Sequence, residues 1–325
     1  MQIAPTFLLL SVIMTLSFVG CTPRSSPVHP IPLPSQPPLT PVVATVADTV
    51  EGSFRNQISL LETNMPRAES ESYVPPTYEE QADFDQLTSA IIENDLARAV
   101  ELATKNTYQL NYYVDRGDNY AVSYLLREQR PIQKGWGLYA FRLDSKSNVI
   151  VEAPHPLYDK KTPNIALDIY RALGARALLI AGAQRNANSD GSADVAHASE
   201  SIFQSVHLAA SQTIQTAAGD VIILQIHGFH ASKHEGYPQV VFGLGEKPLP
   251  EEVALAQKIT SALSERGISS GVCTGVESNL MDLCAKTNIQ GLTTKAGTFI
   301  HIELDEKIRQ NDEAFIAALV DVFGN

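Results

Sequence analysis

Histidines, an arginine and carboxylates fall where apolar runs of this chain stop. His155 follows VIVEAP and stands between two prolines, with Asp159 four positions later. Arg185 and Asn186 follow ALLIAGAQ, His227 closes VIILQIH, and Glu303 lies inside TFIHIEL. A mononuclear catalytic zinc ion needs three N or O ligands, an open position for water, and a carboxylate that takes the water's proton. His155, Asp159 and His227 can supply the ligands, and Glu303 the base. Arg185 can neutralise an oxyanion or hold a substrate carboxylate. His301 precedes Glu303 by two residues, so both point to one side of a strand; it is a candidate support for metal or base. His197 and His207 fall within 194–217, which reads as one long helix with an apolar stripe of Val195, Ile202, Val206 and Ala209. At 100° per residue both project away from that stripe, as surface histidines or as the border of a cleft. His230, in GFHASKHEGYP, belongs to a loop after a strand, where substrate pockets are commonly shaped.

The elements that must position these residues read as an α/β fold. Residues 84–104 carry Leu87, Ile91, Leu96, Val100 and Ala103 near one stripe, the pattern of an amphipathic helix. YQLNYYV, NYAVSYLL and WGLYAFRL follow as strands, and a turn at DSKSN leads into VIVEAP; such hairpins belong to antiparallel sheet. After His155, helical segments (165–173, 194–217, 251–266, 312–323) alternate with the apolar strands ARALLIAG, VIILQIH, VVFGLG and TFIHIEL. That alternation predicts a mixed, mainly parallel sheet with helices on both faces. Ligands of such sheets collect beyond the carboxyl ends of the strands, where the polar residues above fall.

The N-terminal part reads differently. Residues 7–19 form an apolar run that ends in VGC, the pattern of a bacterial lipoprotein signal in which Cys21 receives the lipid. A Pro-rich tract, residues 23–41, suits an extended tether. The expected organisation is therefore a signal peptide (1–20), a tether and irregular linker (21–80) and an α/β domain (81–325). The expected location is the bacterial envelope, lipid-anchored and facing the periplasm or exterior. In that oxidising compartment Cys273 and Cys284 are expected to form a disulfide. Among its 325 residues the formal net charge is −12, which argues against nucleic acid as a partner.

PHPLYD with the following KKTPNIALDIYRAL, then AQRNAN, LQIHGF and FIHIELDEKIR, resemble in that order the zinc amidohydrolase and carboxypeptidase superfamily. N-acetylmuramoyl-L-alanine amidases and N-formylglutamate amidohydrolases are its members. The resemblance spans roughly residues 135–323. It implies a zinc-exopeptidase-like fold, hydrolysis of an amide bond, Zn²⁺ as cofactor, and a small peptide or peptidoglycan-derived substrate. The acidic ligand departs from the pattern: it is Asp where those families use Glu, at a spacing of four, and Asp168 on the following helix competes with Asp159. Two further readings stay open: a non-catalytic envelope protein that uses the hydrolase fold for binding or assembly, and a zinc buffer built on residues 197–234.

Overall fold

The computed structural model describes residues 47–274 and 280–324. The signal-like run, Cys21 and the Pro-rich tract lie outside the described residues. The strands are β1 (Asp48–Gly52), β2 (Tyr108–Asp115), β3 (Ala121–Glu128), β4 (Leu138–Arg142), β5 (Val149–Ala153), β6 (Ala177–Ile180), β7 (Ile222–Gly228), β8 (Val240–Gly243), β9 (Ser270–Cys273) and β10 (Thr298–Leu304). They form one sheet in the order β1-β2-β3-β4-β6-β5-β7-β10-β8-β9. The four central strands β6, β5, β7 and β10 run parallel, flanked by antiparallel β4 and β8. The sheet is thus mixed and mainly parallel, as the alternation of apolar strands with helices predicts.

Helices cover both faces. On one face α1 (Phe54–Asn64), α4 (Thr162–Ala172), α6 (Pro250–Ser264) and α9 (Glu313–Phe323) pack on Val151, Leu178, Leu224, Ile226, Ile300 and Ile302. On the other, α2 (Tyr78–Ile92), α3 (Leu96–Lys105) and α5 (Ile202–Ala218) pack on Ile150, Leu179, Ile223 and Phe299. Two short helices, α7 (Ile289–Thr293) and α8 (Glu306–Gln310), flank β10. Among the described residues no helix is long and apolar enough to cross a membrane.

Three sequence expectations need correction. Residues 48–64, assigned to the linker, belong to the domain: β1 pairs with β2, and α1 buries Phe54, Ile58 and Leu61. Their spacing of four and three is a helical stripe, which the polar residues between them obscure. The single helix over 84–104 is two helices, because Asn94 takes a left-handed φ of 64° and the Asp95 side chain caps α3 by accepting from the Arg98 N–H. The helix expected from residue 194 begins only at Ile202, where the Ser201 hydroxyl accepts from the Gln204 N–H. Residues 194–201 are irregular, with a turn at 195–197.

The second face of the central strands carries the design that matters for the site. Register aligns Ile150, Ile223 and Phe299 in one apolar row across β5, β7 and β10. Two residues on, the row is Glu152, Gln225 and His301; the next is His227 opposite Glu303. A strand exposes alternate residues to one face, so this face turns from apolar to polar toward the carboxyl ends. His155 lies just past the end of β5.

Phe54 tests whether the corrected segment carries weight. It is 1% exposed, with its ring 4.7 Å from that of Tyr113. Phe54→Ala should destabilise the protein by about 3–5 kcal/mol, measured by urea denaturation; a loss below about 1 kcal/mol would return residues 48–64 to the linker.

Candidate metal centre

The His-x-x-x-Asp spacing works because the chain makes a turn directly after β5. The Asp159 N–H donates to the His155 carbonyl at 2.9 Å, so the side chains four residues apart meet. Thr162 then closes the turn, its N–H and hydroxyl both donating to the Asp159 carbonyl. Lys161, at a left-handed φ of 74°, releases the chain into α4. The end of β7 is clamped to this turn by Arg309, whose guanidinium donates to the carbonyls of Lys160, Phe229 and Leu304. Gly228 permits the clamp, since a Cβ there would lie 2.6 Å from Arg309 Nε. Arg309 is therefore a framework residue that fixes the strand ends bearing His227 and Glu303.

Three donor atoms converge. Asp159 Oδ2 lies 3.3 Å from His155 Nδ1 and 3.2 Å from His227 Nδ1. Donors 2.0–2.1 Å from a tetrahedral zinc ion stand about 3.3 Å apart, the separation of Asp159 from each imidazole, and the three donor atoms lie within 4.8 Å of one another. His155 Nε2 faces Asp194 Oδ1 at 2.8 Å. An ionised carboxylate only accepts, so Nε2 carries a hydrogen, and Nδ1 is the nitrogen left to meet a cation at the convergence point. Asp159 is 3% exposed, His155 1% and His227 4%.

Glu303 stands on the adjacent strand. One of its carboxylate oxygens, Oε2, is buried with no hydrogen-bond partner, as is Nδ1 of His301. His301 stacks on His227, ring centroids 4.2 Å apart, and its Nε2 is 3.7 Å from Glu303 Oε1. These residues line a cavity of about 380 Å³.

Charges in the site follow from burial and from each other. Burial alone would raise Asp159, but hydrogen bonds from His155 and His227 outweigh it and hold the carboxyl well below the usual range. Burial, together with the charge on His155, takes His227 down to about 4 against the pull of Asp159. Burial would lower His155 too, yet Asp159 and Asp194 raise it above its ordinary value. Burial and then the negative charge of Asp159 push Glu303 well above the usual carboxylate range. The negative charge of Asp159 makes ionisation of Glu303 costly, and two imidazoles converge on Asp159; a cation there would relieve the first and use the second. Other combinations bring His155, Asp194 and His197, or His227, His301 and Glu303, within 4.8 Å of one another. The first would use the His155 nitrogen already committed to Asp194.

The other sequence candidates are dispersed more widely. Arg185 lines the cavity, with Nη1 3.5 Å from His155 Nδ1, but its Nη2 already donates to Asp194. Its guanidinium also lies over the Tyr158 ring, 5.1 Å from the centroid. Asn186 is exposed and outside the cavity; its carbonyl accepts from the Glu69 N–H and helps dock the chain before α2. Asp168, the competing ligand, forms a two-oxygen contact with Arg55 at 2.7 Å instead. His197 lies at the cavity rim, 3.1 Å from Asp194. His230 is at the rim too, bonded to Glu306. His207 is not a surface residue: it is fully buried between Glu152 (2.7 Å) and Thr294 (2.9 Å). His207 shares its side of α5 with Gln204 and Ser211, which are buried as well. Cys273 and Cys284 form a disulfide, and residues 285–288 beyond Cys284 form part of the cavity wall.

Asp194, Glu152 and Gln225 escaped the sequence reading. Asp194 fell in a stretch assigned to a helix. Its signal was the Ser201–Gln204 capping pattern, which places the helix start later and leaves Asp194 in a turn. Glu152 and Gln225 were visible as polar residues inside runs otherwise fully apolar, a pattern that marks a purpose for the buried group.

No family model matches the chain, and no curated protein matches it. Several solved structures are similar, among them the following three. A gene product, Atu2144, from Agrobacterium tumefaciens is 14% identical, with a TM-score of 0.38, covering 55% of this chain and 89% of its own. The N-formylglutamate amidohydrolase of Ralstonia eutropha is 13% identical, with a TM-score of 0.36, covering 57% and 93%. A metallo-carboxypeptidase from Burkholderia cenocepacia is 13% identical, with a TM-score of 0.36, covering 77% and 70%. Likenesses of this size carry no weight beside the geometry of the site.

The identity of the acidic ligand is open to a paired test. Asp159→Asn should abolish stoichiometric zinc binding by the purified domain, measured by elemental analysis after dialysis. Asp168→Asn should leave the metal content unchanged and cost no more than about 1 kcal/mol of stability. The reverse pattern would move the ligand to α4.

Proposed function

We propose that this chain is a zinc-dependent hydrolase of an amide bond of the peptide type. The observation that carries the reading is the convergence of His155 Nδ1, Asp159 Oδ2 and His227 Nδ1 beside a buried glutamate with one unpartnered oxygen. His155, Asp159 and His227 would hold the zinc ion, which would supply Lewis acidity toward a carbonyl and a more acidic water.

The chain's own residues do the rest. Glu303 is the general base: its environment raises its affinity for a proton, and its free Oε2 can take one and return it to the leaving amine. His301 confines Glu303 from the side and screens it from solvent, being 5% exposed itself. Arg185, held by Asp194 and the Tyr158 face, presents positive charge beside His155, where it can stabilise an oxyanion or engage a substrate carboxylate. The cavity's size suits a small peptide or a peptidoglycan-derived one better than a protein segment.

Glu303→Gln separates catalysis from metal binding. The variant should retain one zinc per chain while kcat on an amide substrate falls about 10²–10⁴-fold. Retained zinc with no hydrolysis in the wild type across a panel of N-acyl amino acids and muramyl peptides would favour a binding protein on the same fold.

Anchoring in the bacterial envelope belongs to the same reading. It is supported by VGC at residues 19–21 and by the proline-rich residues 23–41 that follow. Cys21→Ser should shift the full-length protein from the detergent phase to the aqueous phase on Triton X-114 partitioning. Unchanged partitioning would remove the lipid anchor from the account.

A further inference from the structure

Part of the cavity is walled by a segment that carries none of the metal ligands. Leu283, Ala285, Lys286, Thr287 and Asn288 line it. The far end of this segment is anchored at α7: the Asn288 side chain caps that helix and bonds to Gln225, and the Ile289 N–H donates to the Ala196 carbonyl at 2.8 Å. The near end has only a short 3-10 turn, Met281–Leu283, before Cys284.

That near end is fastened onto the end of β8 and β9. The disulfide joins Cys284 to Cys273, the last residue of β9, which pairs in register with Gly243 of β8. The Gly245 N–H donates to the Cys284 carbonyl at 2.8 Å. The wall's backbone lies directly on Gly243: a Cβ there would overlap the Leu283 carbonyl oxygen and stand 2.9 Å from the Cys284 carbonyl carbon. Ala285, the next residue, has a left-handed φ of 57°. Alanine adopts that conformation only where its surroundings impose it.

The disulfide sits in a small apolar cluster of its own, with Phe229, Val241, Leu280 and Leu283, apart from the two large cores. So few side chains bury little surface, and a crosslink supplies the restraint that packing does not. Phe229 connects the cluster to the framework of the ligands. Its N–H donates to the Leu304 carbonyl at 3.0 Å, and its carbonyl accepts from Arg309. Neither of those bonds involves the wall.

We propose that Cys273 and Cys284 are positioning residues for the substrate: their disulfide holds residues 283–287 as a wall of the cavity, independently of the metal ligands. His155, Asp159 and His227 are held by strand ends and by Arg309, so substrate affinity and metal affinity belong to separable parts of the molecule. The proposal rests on the reading of this cavity as the substrate site of a hydrolase.

Two variants displace the wall by different means. The double variant Cys273→Ala, Cys284→Ala removes the crosslink and keeps the cluster apolar. Gly243→Ala keeps the crosslink and pushes a methyl group against the wall's backbone. Both should retain one zinc per chain, with zinc affinity by chelator competition within about 3-fold of wild type. By hydrogen exchange, amides of residues 283–287 should exchange at least about 10-fold faster, with a smaller change in β7 and β10. On the best-hydrolysed member of a panel of N-acyl amino acids and muramyl peptides, KM should rise about 10-fold while kcat stays within about 3-fold. A crosslink that serves stability alone would speed exchange in the wall and in β7 and β10 alike and leave KM unchanged, which would overturn the proposal. Loss of zinc in both variants would overturn it as well, because metal and wall would then not be separable. If the wall loosens as expected while wild type hydrolyses nothing, the fastening stands and the hydrolase reading fails.

Discussion

A carboxylate buried between two imidazoles cannot exist as an isolated charge, and much of the surrounding structure answers to Asp159. Taking a carboxylate out of water costs several kcal/mol unless it is paired and hydrogen-bonded. Here the compensation comes from His155 and His227, delivered from the ends of two neighbouring parallel strands. Each imidazole is in turn held on its other nitrogen, one by Asp194 and one by Gln225. Arg309 ties the turn that carries Asp159 to the end of β7. Neither imidazole can move without breaking one of these hydrogen bonds.

The sheet register explains why so much polar chemistry fits in a folded core. The apolar row of Ile150, Ile223 and Phe299 secures the packing of the second face, and the polar rows begin only beyond it. Glu152, Gln225 and His301 form a satisfied intermediate layer, apart from His301 Nδ1. His227 and Glu303 then reach the cavity. The far face of the same strands is apolar throughout, so the polar rows weaken one side of the core only.

The pattern of parallel strands and the order of the site residues were legible because each apolar strand ends in a residue that a core does not need. His155, His227 and Glu303 announced themselves in this way, and Asp159 followed from a short turn. What lay hidden depended on contacts between distant segments. His207 looked like a surface residue because only its helix stripe is local, whereas its partners Glu152 and Thr294 are 55 and 87 residues away. Asp194 was lost inside an assumed helix, and Arg185 looked free because its partner was not recognised. Residues 48–64 read as linker because helical spacing of three apolar residues is weak evidence without the sheet that buries them.

Zinc-edge anomalous diffraction on crystals of the zinc-reconstituted protein tests the central claim most directly. One anomalous peak should lie about 2.0–2.2 Å from His155 Nδ1, an Asp159 carboxylate oxygen and His227 Nδ1, with Glu303 near but outside the ligand set. A peak instead among His155 Nε2, Asp194 and His197, or no peak in this cavity, would contradict the account.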